Sequence, residues 1–210
     1  MVRRRIAREP LAYIVARKGF RNLDLSVDPR ALIPRPETEL LVEVALELRP
    51  ASVLDVGTGS GAVALAIADE LSGTRVVGTE RSSAALDLAR ENVSRRHAED
   101  SVELVAGTLP PGRRFDLVVA NLPYVREADW ERLEPEITRY EPREALVAGA
   151  DGLDAIRDLL AERPECDAIA LEVGEGQAAA VESMVADAGF GHVQRRRDLA
   201  GIERVVVGSR

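Results

Sequence analysis

Ser52-Val53-Leu54-Asp55-Val56-Gly57-Thr58-Gly59-Ser60-Gly61 sets a short β-branched run directly against alternating glycines, and Ala62-Val63-Ala64-Leu65 then opens a helical pattern. A strand that ends in a glycine turn and passes into a helix is the opening unit of an open α/β sheet, whose ligands bind beyond the carboxyl ends of the strands. Working outward, further strands are expected at Arg75–Thr79, Val102–Val105, Phe115–Ala120 and Ala168–Val173, all short and rich in β-branched residues. Helices are expected at about Gly61–Leu71, Ser83–His97, Leu153–Glu162 and Glu175–Ala188. The alternation predicts a doubly wound, mostly parallel sheet with crossover helices. It breaks at the tail, where Gly191–Arg197 and Ile202–Val207 flank Asp198-Leu199-Ala200-Gly201 and predict a terminal antiparallel hairpin.

Upstream, Ala12–Val15 and Leu23–Val27 flank Lys18-Gly19-Phe20-Arg21-Asn22 and predict a short β-hairpin. Ile33-Pro34-Arg35-Pro36 excludes helix, because each proline pushes its predecessor toward extended backbone. Pro36 can then open a helix that carries Glu37 and Glu39 in its first turn and ends near Pro50.

Composition narrows the function. The 210 residues are 46% hydrophobic and 30% charged, enough to bury a core. Hydrophobic runs such as Leu117–Ala120 fall far short of the roughly 20 residues of a membrane span. The basic Met1–Arg5 meets Glu9 and Pro10 where a secretory signal would be apolar, so a cytoplasmic location is expected. Cys166 is the single cysteine and reads as an inert thiol, and His97 and His192 lack metal-ligand spacing, so no metal is expected. A net charge of −8 weighs against a phosphate backbone as partner.

Gly57, Gly59 and Ala62 satisfy a dinucleotide-binding pattern, and Glu80, at the end of the next strand, can hold ribose hydroxyls. Spacing alone leaves a nicotinamide dinucleotide and S-adenosylmethionine both open. Asp55 adds a second carboxylate near the turn, and charge complementarity then favours the cationic S-adenosylmethionine over a pyrophosphate.

Asn121-Leu122-Pro123-Tyr124 follows the strand Phe115–Ala120 and so stands beside the glycine turn. An amide nitrogen is a weak nucleophile because its lone pair is delocalised into the carbonyl. Hydrogen-bond acceptors can orient such a planar –NH2 group. The Asn121 side-chain oxygen and the Leu122 carbonyl can each take one N–H, while Tyr124 packs on the face of the group. Pro123 holds Leu122 extended and fixes the direction of that carbonyl.

With these motifs in hand, the chain resembles the HemK/PrmC group of protein-(glutamine-N5) methyltransferases. The likeness runs from about Arg8 to the end, through Leu32-Ile33-Pro34-Arg35-Pro36-Glu37-Thr38-Glu39, the glycine turn, the tetrapeptide and Glu141-Pro142-Arg143-Glu144-Ala145-Leu146. It implies a Rossmann-like class I S-adenosylmethionine-dependent methyltransferase fold with a seven-stranded sheet. Residues 1–36 would form the hairpin and active-site loop, and residues 37–210 the methyltransferase domain. The resemblance implies that Asp55, Gly57, Thr58, Gly59, Ser60, Gly61, Glu80 and Asn121 hold the cofactor, with Thr108 and Leu109 beside its adenine. Asn121, Leu122, Pro123 and Tyr124 would hold the substrate, with Asn121, Pro123 and Tyr124 catalytic. The implied substrate is the glutamine of the Gly-Gly-Gln motif in a peptide chain release factor. Alternatives are an exocyclic base amine of a nucleic acid, another protein substrate of a paralogous enzyme, or a non-catalytic cofactor-binding partner. Three departures stand out: Leu122 replaces the family's usual first proline, Thr108 its common aspartate, and the usual amino-terminal helical domain is absent from this sequence.

Overall fold

The computed structural model describes residues 1–210. Two short helices, α1 (Val2–Ile6) and α2 (Leu11–Val15), precede the strands β1 (Arg17–Phe20) and β2 (Leu23–Ser26). A 3-10 turn at Pro36–Thr38 leads into α3 (Glu39–Leu48). There follow β3 (Ser52–Val56), α4 (Ala62–Glu70), β4 (Arg75–Glu80), α5 (Ser83–Arg95), β5 (Val102–Ala106) and β6 (Phe115–Ala120). The chain continues through α6 (Pro135–Tyr140), α7 (Asp154–Ala161), β7 (Cys166–Glu172), α8 (Ala178–Asp187), β8 (His192–Arg197) and β9 (Glu203–Ser209).

The seven-stranded sheet has the order β5-β4-β3-β6-β7-β9-β8. Strands β3 to β7 pair in parallel, while β9 inserts antiparallel between β7 and β8. Strand order reverses between β3 and β6, which opens a crevice at the carboxyl edge. Alternate residues feed the two faces: Leu117 and Val119 join a core under α3 and α4, whereas Val118 and Ala120 join a second core under α7 and α8. A central strand covered on both faces is mostly apolar, and this made its sequence legible.

The amino-terminal hairpin is present, but its first strand is not Ala12–Val15. That segment is the single-turn helix α2, entered from Pro10 and stopped by Ala16 in the left-handed region at φ 57°. The strand instead begins at Arg17, and Arg21-Asn22 make the tight turn between Phe20 and Leu23. Phe20, Leu23 and Leu25 are buried in the same core as Leu41 and Ile67. Arg21 also grips both oxygens of Glu70 at 2.8 and 2.7 Å, fastening the hairpin to α4. Cys166 is fully buried and burial pushes its thiol up to about 11, as an inert side chain requires.

Candidate active site

Strand register decides what meets at the crevice. Val56 pairs with both Thr79 and Ala120, and Ala120 pairs with Leu171. The next residue on each strand is therefore Gly57, Glu80, Asn121 and Glu172, side by side at one edge of the sheet.

The glycine turn is held from below. The Gly57 and Thr58 N–H groups both donate to the Thr79 carbonyl at 2.9 Å. Gly57, Gly59 and Gly61 lie at φ 71°, 57° and 83°, where a side chain is strained. Asp55 is 2% exposed, and its Oδ2 accepts from the Thr58 hydroxyl at 2.6 Å and the Ala64 N–H at 3.2 Å. Burial pushes its carboxyl up to about 6 against those hydrogen bonds. Asp55 thus braces the turn from beneath while reaching the wall of the cleft. Glu80 ties the turn to the next helix: Oε2 accepts from Gly59 N–H at 3.0 Å and Oε1 from Ser82 N–H at 2.9 Å.

These residues border a cleft of about 1450 Å³. Of the residues singled out from sequence, Asp55, Gly57, Thr58, Gly59, Ser60, Glu80, Thr108, Asn121, Leu122 and Pro123 line it. Gly61, Leu109 and Tyr124 do not. Gly61 starts α4, with Leu65 and Ala89 close around its Cα. Leu109 turns toward a separate cavity of about 180 Å³ beside Leu54, Phe115 and Val118. Apolar contact draws it there and leaves Thr108 on the cleft wall, where its carbonyl accepts from the Thr79 hydroxyl at 2.8 Å. The Tyr124 ring sits near Gly174 and Glu172, and burial pushes its phenol up to about 12.

The tetrapeptide is fixed at both ends. The Asn121 Nδ2 group donates to Thr38 Oγ1 at 2.9 Å, which leaves Oδ1 as the amide's free acceptor. At the far end the Tyr124 carbonyl accepts from Gln177 Nε2 at 2.9 Å, while Gln177 Oε1 accepts from Gly174 N–H at 2.8 Å. Val125 donates to the Leu146 carbonyl at 2.7 Å and accepts from Ala148 N–H at 3.0 Å. Above the cleft, the loop before α3 is pinned by Glu141, which accepts from Ile33 N–H at 3.2 Å and Arg35 Nη2 at 2.6 Å. Pro34, Arg35 and Thr38 from that loop also line the cleft.

Thr38, Gln177 and Glu172 carry roles that sequence spacing did not assign. Thr38 and Glu141 lie in segments picked out by resemblance. Gln177 and Glu172 had only one signal, a polar residue at the carboxyl end of an otherwise apolar strand or just beyond it.

A family model described as a methyltransferase domain matches residues 53–140. The release factor glutamine methyltransferase of Geobacter sulfurreducens is 45% identical over 217 aligned residues, covering 99% of this chain and 76% of that protein. The protein of the same name from Gloeobacter violaceus is 42% identical, with 98% and 76% covered. Among solved structures, a methyltransferase from Pyrococcus furiosus superposes with a TM-score of 0.66 at 17% identity, covering 99% of this chain and 97% of that one. The hMettl16 catalytic domain bound to an RNA hairpin gives 0.71 at 16% identity, with 88% and 74% covered. At such identities these two neighbours speak for the fold alone.

Proposed function

Because the chain belongs to the release factor glutamine methyltransferase family, we propose that it transfers a methyl group from S-adenosylmethionine to the side-chain amide nitrogen of the Gly-Gly-Gln glutamine in a peptide chain release factor. The observation that carries this reading is the Asn121 amide, tied through Nδ2 to Thr38 so that Oδ1 stands free beside the glycine turn.

The donor set fits the cofactor. A turn without Cβ atoms at Gly57 and Gly59 lets a ligand approach the backbone, and the carboxylates of Glu80 and Asp55 complement a cationic, hydroxyl-bearing molecule. When bound, S-adenosylmethionine supplies an electrophilic methyl carbon. The rest belongs to the protein. Asn121 Oδ1 and the Leu122 carbonyl accept the two N–H bonds of the substrate amide, hold it flat and localise electron density on nitrogen. Pre-organised acceptors need no reorganisation as charge develops, and correct orientation alone offers roughly 7–11 kcal/mol. Leu122 keeps the carbonyl that the family's proline would carry, and Pro123 keeps that carbonyl's direction. No acid or base need act before the methyl moves, since the proton can leave once the nitrogen is alkylated.

An exocyclic base amine has the same flat –NH2 group, but a net charge of −8 disfavours a phosphate-rich partner. No helix is long and apolar enough to cross a membrane, and we place the reaction in the cytoplasm with the translation machinery.

The test is mass spectrometry of a release factor incubated with the enzyme and S-adenosylmethionine, where one added methyl on the Gly-Gly-Gln glutamine is expected. An unmodified peptide, with cofactor binding shown by calorimetry in the same buffer, would overturn the reading. Calorimetry also tests Glu80. Glu80→Ala removes a carboxylate from the cofactor wall and frees two backbone N–H groups, so affinity for S-adenosylmethionine should fall roughly ten- to a hundredfold. Unchanged affinity would remove Glu80 from the binding site.

A further inference from the structure

Direction is the difficulty at Asn121. The two ends of its amide are nearly the same size, one donating and one accepting, and the Thr38 hydroxyl can do either. The 2.9 Å contact between Nδ2 and Thr38 Oγ1 therefore leaves open what keeps the amide from turning over. What lies behind Thr38 answers this.

Glu172 is the first residue of β7 beyond the Ala120–Leu171 pair, at the end of the strand beside Asn121. It is 1% exposed, and its Oε2 has no hydrogen-bond partner. A buried carboxylate without full compensation is costly, so it calls for an explanation other than packing. The Thr38 and Tyr124 hydroxyls are among its neighbours.

We propose that Glu172 is a positioning residue for methyl transfer: its ionised carboxylate accepts a hydrogen bond from the Thr38 hydroxyl, obliges Thr38 to accept from Asn121 Nδ2, and so keeps Asn121 Oδ1 turned toward the substrate amide. This rests on the role given to Asn121 above. The reasoning is a count of protons. Thr38 has one hydroxyl proton, and an ionised carboxylate can only accept. With that proton committed to Glu172, Thr38 can meet Asn121 only through a lone pair. Once Glu172 is protonated its own O–H can donate to Thr38, whose proton is then free to meet Oδ1 of a rotated amide. The rotated amide presents N–H donors to a substrate group that needs acceptors.

Burial pushes the Glu172 carboxyl up to about 7, and Glu37 acts in the same direction. Thr38 from the loop, Tyr124 after β6 and Arg204 on β9 pull it back, while Arg35 faces the same corner through Tyr124. The ionised, aligning form is therefore present above neutrality and lost as pH falls below it.

Two measurements on the full chain, across a pH series bracketing neutrality, test the assignment. In methyl transfer to release factor, wild-type kcat should rise with pH and reach half its maximum near the Glu172 midpoint, with cofactor KM flat. Glu172→Gln should lower kcat roughly ten- to a hundredfold and abolish that acid limb. Thr38→Val should reproduce the loss and Thr38→Ser should restore most of it. In the second measurement, the side-chain ¹⁵N amide signals of Asn121, followed in the protein without substrate, should titrate with the same midpoint in wild type. They should stay flat in Glu172→Gln. A variant that keeps wild-type kcat and its acid limb, or Asn121 signals that do not titrate in wild type, would overturn the inference. Should Glu172→Gln fail to fold, the Thr38 pair and the wild-type titration still decide it. Failure of the release-factor reading looks different: wild type leaves the peptide unmodified while the Asn121 signals still follow Glu172.

Discussion

Asn121→Ala is expected to lower kcat for release-factor methylation by about two to three orders of magnitude, the usual cost of deleting one pre-organised polar group from a reaction centre. The side chain is partly exposed, and its single hydrogen bond within the protein runs to Thr38. Truncation therefore leaves no large cavity and orphans only a hydroxyl that can turn to other partners. Thermal stability should change by less than about 1 kcal/mol, within the range of partly exposed substitutions. Cofactor affinity should fall much less than kcat, because the glycine turn and Glu80 are held by bonds that do not pass through Asn121. Steady-state kinetics beside calorimetry separate these quantities. A variant with kcat within about threefold of wild type would remove Asn121 from the reaction centre.

The second large effect concerns a residue far from the tetrapeptide in sequence. Gly152 lies at φ 78°, and a Cβ built there would stand 2.2 Å from the Tyr124 carbonyl oxygen and 2.8 Å from Gln177 Nε2. Gly152→Ala must therefore displace backbone, not merely a side-chain tip. It also breaks the hydrogen bond that pins the end of the tetrapeptide. Left-handed strain of about 1–2 kcal/mol adds to an overpacking cost of about 1–3 kcal/mol. Denaturant melts should show a loss of about 2–5 kcal/mol, and kcat should drop by roughly tenfold or more as the Leu122 carbonyl shifts. An alanine variant as stable and as active as wild type would mean that this corner yields easily.

The central strands could be read from sequence because burial on both faces keeps each run mostly apolar, with Ser52, Asp55 and Asp116 as the polar exceptions. Ser52–Val56 and Phe115–Ala120 have the same limits in sequence and structure. The amino-terminal segment Leu11-Ala12-Tyr13-Ile14-Val15 misled for the opposite reason: a five-residue apolar run with one aromatic and two β-branched residues fits one turn of helix as well as a strand. Tyr13 and Ile14 are both buried in the helix, and a run this short gives periodicity nothing to count. At the site, Asn121 through Pro123 were visible because a whole motif lies together in the chain. Thr38 and Glu172 were not, because they meet Asn121 only after strand pairing and loop closure bring separated segments together. Leu109 faces the neighbouring apolar cavity while Thr108 lines the cleft, and nothing in Thr108-Leu109 says which of two adjacent side chains will do which.

The staggered meeting of four strand ends also divides the labour. Glu80 reaches only Gly59 and Ser82, on the side of β3 and β4, whereas Glu172 acts on Thr38 and Tyr124, on the side of β6 and β7. The two halves meet along the β3–β6 ladder, and just beyond it a Leu122 methyl group lies 3.3 Å from where a Gly57 Cβ would be. Changes confined to one half should combine with changes in the other by simple addition of free energies, while changes at Leu122 or Gly57 should not. The protein is thus built so that selection can retune its grip on the methyl donor without disturbing its aim at the acceptor.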